Sequence, residues 1–328
     1  MTVMRGVRAA SAAGLLAMSS MSPAAAADAV PRSIAELTPT ATLALGKTAD
    51  WVLITGDSVW VGSTGPFAVH RIDPKTNRIV ADIALPGEPC AGLAAGFHSL
   101  WIPLCTATPS LAKVDLVRNR LSATFDIGAA AAEAGVTVDE KGVWLVTDKN
   151  GSLVRIDPLT GTVRATVHIA AGSYNPHYSA GTVWISQADG SRLTGVDTTT
   201  LQVTALVTTG PNPRFLTAGG GAIWTLNQGD GTVTRVDTHT QVTSRIALHT
   251  PGHGGDIQFD AGLVWSTMPK MPLSVIDAKS STLLCQWAGP GGDSLGLGFG
   301  AIWLTDYDNG TVSRIPIDQA LAKCGAAP

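Results

Sequence analysis

The chain has 328 residues, with 22 Lys+Arg against 25 Asp+Glu, a formal charge of −3 and only 14% charged residues. A 45% apolar content excludes a disordered chain, and the lack of a basic excess argues against a nucleic-acid partner. No apolar run reaches the ~18–20 residues that a membrane-spanning helix needs, and 36 Gly with 19 Pro point to many short elements separated by turns.

Residues 1–27 read as a secretory signal peptide. Arg5 and Arg8 make a basic start, Ala9 to Met21 a mildly apolar stretch, and Ala24-Ala25-Ala26-Ala27 a small-residue cleavage site. An Ala-rich tail is the plainer alternative. Cleavage would leave a mature charge of −5 and a periplasmic or extracellular protein. Residues 28–39 are then a lead-in, and 40–328 a single domain.

Export makes the four cysteines readable as two disulfides, with buried free thiols as the rival reading. If the chain reverses at Phe97-His98, Cys90 faces Cys105 across a hairpin. Cys285 and Cys324 are the remaining pair. No C-x-x-C spacing occurs to suggest a metal knuckle.

The strongest signal is an internal repeat. Trp60, Trp101, Trp144, Trp184, Trp224, Trp265 and Trp303 are spaced by 41, 43, 40, 40, 41 and 38 residues. Only Trp51 and Trp287 lie outside the series. An Asp follows each of the first six, 12 to 14 residues on: Asp73, Asp115, Asp157, Asp197, Asp237 and Asp277. In the last unit Pro316 stands at that place. Fuller forms are Arg71-Ile72-Asp73-Pro74-Lys75-Thr76-Asn77 and Arg155-Ile156-Asp157-Pro158-Leu159-Thr160-Gly161. Asp caps a turn, Pro presets φ, and Gly or Asn accepts a left-handed residue.

Each unit reads as four short strands; in the fifth they are roughly 214–218, 222–226, 232–237 and 242–248. Four strands in about 41 residues make a propeller blade. The expectation is an all-β, seven-bladed β-propeller. Thr311–Ile315 is the last strand before a tail from Asp318, so Thr40–Gly46 is expected to supply the missing outer strand of blade seven. One Trp per blade is what inter-blade packing predicts.

With these Trp strands and Ile-Asp-Pro-x-Thr-Gly turns, residues 40 to 320 resemble the YVTN-repeat and streptogramin B lyase-like (virginiamycin B lyase-like) propellers. The resemblance implies eliminative opening of a cyclic depsipeptide by a His base, carboxylates and magnesium at the propeller top. Blades of that family tend to end the Trp strand in Phe-Thr-Glu. Here the third residue after each Trp is Ser63, Leu104, Thr147, Gln187, Asn227, Met268 or Asp306, and none is Glu.

In a propeller, the start of each innermost strand and the end of the second share one face around the channel. The starts carry Asp50, Glu133, His177, Arg214, Asp256 and Asp293, with His253 in a Gly-rich approach to blade six; the second-strand ends add Gln187, Asn227 and Asp306. One reading makes His253 or His177 a general base tuned by Asp256 or Asp293, with Arg214 holding an anion and Asp50, Glu133, Gln187, Asn227 and Asp306 lining a ligand site. Mg²⁺ or Ca²⁺ is the cofactor if the chain is enzymatic. The other makes the ring a water-filled polar lining. His70, His98, His168 and His239 read as surface residues. The function expected is binding of a small molecule, peptide or protein at the channel mouth, by a monomer without a membrane span. A streptogramin B lyase-like lyase or related hydrolase is the alternative.

Overall fold

The computed structural model describes residues 30–325, so the signal peptide expected at 1–27 lies outside the described residues. Seven antiparallel sheets of short strands make a seven-bladed β-propeller. The fifth blade, Pro213–Gly219, Ala222–Asn227, Thr232–Asp237 and Thr243–Ala247, follows the expected strands closely. Blade seven takes its outer strand, Ala41–Ala44, from the N-terminal side, paired antiparallel with Thr311–Pro316. The ring is thereby closed as the repeat count required.

The second-strand tryptophans build the joints between blades. Trp60 packs among Leu100, Ile102 and Val114 of blade two. Trp101 reaches into blade three, Trp144 into blade four and Trp184 into blade five. Trp224 and Trp265 continue the series, and Trp303 closes it against Val52, Val59 and Val61 of blade one. Five of these rings also carry a cation from the neighbouring third strand: Arg71, Lys113, Arg155, Arg235 and Arg314 sit 5.3–5.8 Å from the ring centroids. Each such pair is worth roughly 0.5–2 kcal/mol depending on desolvation. In blades four and six, Gly195 and Val275 occupy that place.

The Asp marks are turn caps. Asp157 accepts the amides of Leu159 and Thr160, and Asp237 those of His239 and Thr240. Four residues after each Asp the backbone turns left-handed, at Asn77, Asn119, Gly161, Leu201, Gln241 and Ser281. The Asn and Gly among them are the residues that accept positive φ most readily.

Both terminal segments are more ordered than the sequence suggested. Arg32–Ser33 adds a parallel strand beside Trp287 and Ala288 on blade six. The tail forms a helix, Ile317–Cys324, whose Ala320 and Leu321 are buried with Leu37 and Trp287. The Thr38 amide donates to Gln319 Oε1 at 2.7 Å, joining the two ends.

Both expected disulfides form, Cys90–Cys105 with Cα atoms 5.7 Å apart and Cys285–Cys324 with 5.5 Å. The hairpin register holds at Ala94↔Trp101 but slips by two residues at Pro89↔Leu104. Cys90 therefore reaches Cys105 diagonally, where the sequence placed them directly opposite.

Three outcomes test this packing. Trp224→Ala empties a fully buried site and should cost about 3–5 kcal/mol in denaturant unfolding; a loss below 1 kcal/mol would contradict a joint role. Non-reducing peptide mapping should recover both disulfides. Replacing Cys90 and Cys105 by Ser opens a 15-residue loop and should cost about 3 kcal/mol.

Candidate functional site

The channel is shaped by irregularities in three innermost strands. Pairing slips between Asp50 and Val52, between Ser173 and Pro176, and between Pro213 and Leu216. Such bulges free intervening residues from the sheet and re-aim their side chains. Trp51 sits at φ 59° in the first of them, and its ring packs on Phe215 with centroids 6.0 Å apart. These residues belong to blades one and five, so the contact crosses the channel. Trp51 lines both of the cavities found along the axis and stands between them.

The upper cavity, about 630 Å³, opens where the innermost strands start. It gathers six carboxylates, Asp50, Glu88, Glu133, Asp293, Asp306 and Asp308, against Lys270 and His253. Burial pushes Asp50 well above the usual carboxylate range, and the charges of Asp293, Asp256 and Glu133 add to it against the opposing Trp51 amide. Asp293 is raised too, first by burial and then by Glu133 and Asp308, although the Gly255 amide donates to it at 2.9 Å. Both carboxyls resist ionisation because burial strips the charged form of water and the neighbouring carboxylates repel it.

The lower chamber, about 290 Å³, lies deeper along the innermost strands and holds His177, Asp256, Asn175, Gln258 and Ser294 beneath Trp51 and Phe215. Asp256 accepts from the Ile257 and Leu295 amides and the Ser294 hydroxyl. Burial nevertheless pushes its pKa up to about 7. Burial alone pushes His177 down to about 4, so the imidazole is neutral at physiological pH.

The residues expected to form one ring are thus distributed. Asp50, Glu133, His253, Asp293 and Asp306 share the upper cavity, whereas His177 and Asp256 share the lower chamber. Arg214 is engaged: it pairs with Glu133 at 3.2 Å and lies 5.0 Å over the Tyr174 ring. Asn227 is fully buried, its amide donating to Thr232 and Thr234, and Gln187 donates to the Ala171 carbonyl. Neither lines either cavity. Among the described residues, no three His, Cys, Asp or Glu side chains are grouped to hold a metal ion. Trp51, Phe215, Asn175, Glu88 and Tyr307 were missed. Trp51 had a signal, since it breaks the tryptophan period.

His98, His168 and His239 are exposed as expected, but His70 is buried and needs correction. Its Nε2 is 2.7 Å from Ser63 Oγ and its Nδ1 2.6 Å from Asp82 Oδ1. This is the order of a hydrolytic triad, yet the equivalent slots of other blades hold plain polar pairs: Asn227–Thr234, Ser274–Gln286 and Thr42–Ser313. Gly46 also lies so close that a Cβ there would sit 3.3 Å from the Ser63 Cβ. Ser63–His70–Asp82 is a cross-strand clasp of blade one.

The fold and the two-chambered channel define a seven-bladed β-propeller with a polar axial site. No protein-family model and no curated protein sequence matches the chain. Solved structures do. BamB from Moraxella catarrhalis superposes with a TM-score of 0.64 at 14% identity, over 86% of this chain and 98% of that one. The computationally designed Ika8 protein gives 0.61 at 15% identity, over 84% and 98%. At such identities the likeness shows the propeller fold alone. The two disulfides are compatible with an exported protein, and no described helix is long and apolar enough to cross a membrane.

The channel groups make opposite contributions to stability with pH. Asp256 has a folded pKa raised above its unfolded value, so its stabilisation is full near pH 4 and is lost as pH rises through about 7. His177 has a folded pKa lowered to about 4, so its stabilisation is present above pH 6.5 and is lost as pH falls through 4. Relative to the parent, Asp256→Asn should gain in melting temperature between pH 4 and 7, and His177→Gln should lose its relative advantage over the same range. Parallel melting curves for the parent and both variants would contradict these burials.

Proposed function

We propose that the chain is an exported propeller that binds a positively charged partner in the upper cavity. That partner is an amine-bearing small molecule, or a Lys or Arg side chain presented by a peptide or protein. The observation that carries this reading is the excess of carboxylates in a cavity of about 630 Å³. Two of them, Asp50 and Asp293, have pKa values raised by burial and by like charge. A cation entering there relieves repulsion already present, and Trp51 and Tyr307 supply aromatic faces for its stem or charge. Membership in the YVTN-repeat and streptogramin B lyase-like propellers belongs to the same proposal, on the strength of the Ile-Asp-Pro-x-Thr-Gly turns. Binding is favoured over metal-assisted elimination because, among the described residues, no three His, Cys, Asp or Glu side chains are grouped to hold a metal ion.

Isothermal titration with tri-lysine and tri-glutamate tests it. Tri-lysine should bind and tri-glutamate should not. Affinity should rise from pH 5 to pH 8, because a bound cation favours the ionised carboxylates whose pKa values burial has raised. Asp293→Asn should weaken tri-lysine by about ten-fold or more. It should melt no lower than the parent, since a desolvated charge is removed. Equal binding of both peptides, or no effect of Asp293→Asn, would overturn the reading.

A further inference from the structure

The lower chamber presents hydrogen-bond acceptors from two walls and has no cation to meet them. Among the described residues that line it, Asp256 is the one carboxyl, and none is Lys or Arg. Asp256 Oδ2 accepts from the Ser294 hydroxyl and the Leu295 amide, while Oδ1 accepts from the Ile257 amide alone. A carboxylate oxygen can take two donors, so Oδ1 keeps a lone pair. Gln258 follows two residues on, shares that face of the strand and adds its carbonyl to the same wall. From blade four comes His177, whose ring has no hydrogen-bond partner: burial is the one influence on its titration, and neither ring nitrogen is sealed inside the protein. A neutral imidazole offers one lone pair and one N–H.

Charge decides what enters. Asp50 and Asp293, above Trp51, lie within electrostatic reach of Asp256, so the field along the axis is negative. An anion is repelled by Asp256 and finds no Lys or Arg in the chamber, whereas a cation is drawn to the same carboxylate. Shape then selects among cations. The acceptors stand on the walls of blades four and six, and the rings of Trp51 and Phe215 close the top. A planar, delocalised cation has in-plane N–H groups for both walls and a face for the rings, while an ammonium is compact and more strongly hydrated. The geometry points to a second cation site in this chamber, taking an amidinium or guanidinium group between Asp256, Gln258 and His177 beneath Trp51 and Phe215. At about 290 Å³ the chamber holds such a group with a small ring or a side-chain stem. It runs down to Leu53, Ala95 and Val138 near the ends of their innermost strands, so it is entered from the face opposite the upper cavity. The two sites share Trp51 and no other residue.

Benzamidine, benzamide and benzoate have one shape and differ in charge, being cationic, neutral and anionic. Isothermal titration of the protein at pH 8 should give benzamidine binding about ten-fold or more tighter than benzamide, and no benzoate binding. N-acetylarginine methylamide, run beside benzamidine, separates the two sources of such a group: the tighter binder marks the site as one for a free amidine or for an arginine side chain. Asp256→Asn should weaken benzamidine about ten-fold or more, and His177→Phe about five-fold. Asp293→Asn, in the upper cavity, should change it by less than about two-fold, and His177→Phe should leave tri-lysine binding unchanged. A benzamidine-soaked crystal should place the amidinium within hydrogen-bond reach of Asp256 Oδ1, with the ring beneath Trp51 and Phe215. Benzamidine seated only in the upper cavity, an empty lower chamber at saturating benzamidine, benzamide or benzoate bound as tightly, or full binding by Asp256→Asn would overturn the assignment. Each of these outcomes leaves the tri-lysine test of the upper cavity standing. The soaked parent crystal decides the matter even if the variants fail to fold.

Discussion

Everything in this molecule depends on a tryptophan placed once per blade on the second strand. Each of the seven rings is buried in the face of the following blade, and Trp303 returns the series to blade one. Because the joints are made by large, fully desolvated side chains, the ring is held together away from its axis. The axis can then remain unpacked and polar. In five blades the same indole also has an Arg guanidinium or Lys ammonium over its ring. A scarce supply of charge is thus spent partly on shielding the joint.

Closure at the ends follows the same logic. The strand Ala41–Ala44 completes blade seven, Arg32–Ser33 covers the edge of blade six, and the Cys285–Cys324 bridge ties the terminal helix to that blade. No single one of these would seal the ring as well as the set, because each caps a different exposed edge or end.

Much of this was legible in the sequence, for physical reasons. A period of about 41 residues in a bulky side chain can only be satisfied by equivalent environments, so the blade count followed from the tryptophans. The Asp-to-Asn or Asp-to-Gly turns are local, and local chemistry fixed them. The bulges were not legible. A register slip at Asp50–Val52 or Pro213–Leu216 is decided by what faces the channel from other blades, which no local pattern records. For that reason one expected polar ring became two chambers with Trp51 between them. His70 shows the same limit: its burial depends on Asp82 and Ser63, which lie on neighbouring strands. Asn227 looked like a channel residue because it ends a second strand, yet its side chain turns into the sheet and bonds Thr234.

The channel then has a definite electrostatic character. Above Trp51 lies a carboxylate-rich space with few cations; below it lies a chamber with a neutral imidazole and a single carboxyl. The account's central claim is that the upper space is built for positive charge. The most direct measurement is a crystal structure of the protein soaked with tri-lysine near pH 8. The account predicts a lysine ammonium within hydrogen-bond reach of the Asp50 and Asp293 carboxylates, with Trp51 unmoved beneath it. An empty upper cavity at saturating peptide, or peptide seated only on the outer strands, would contradict it.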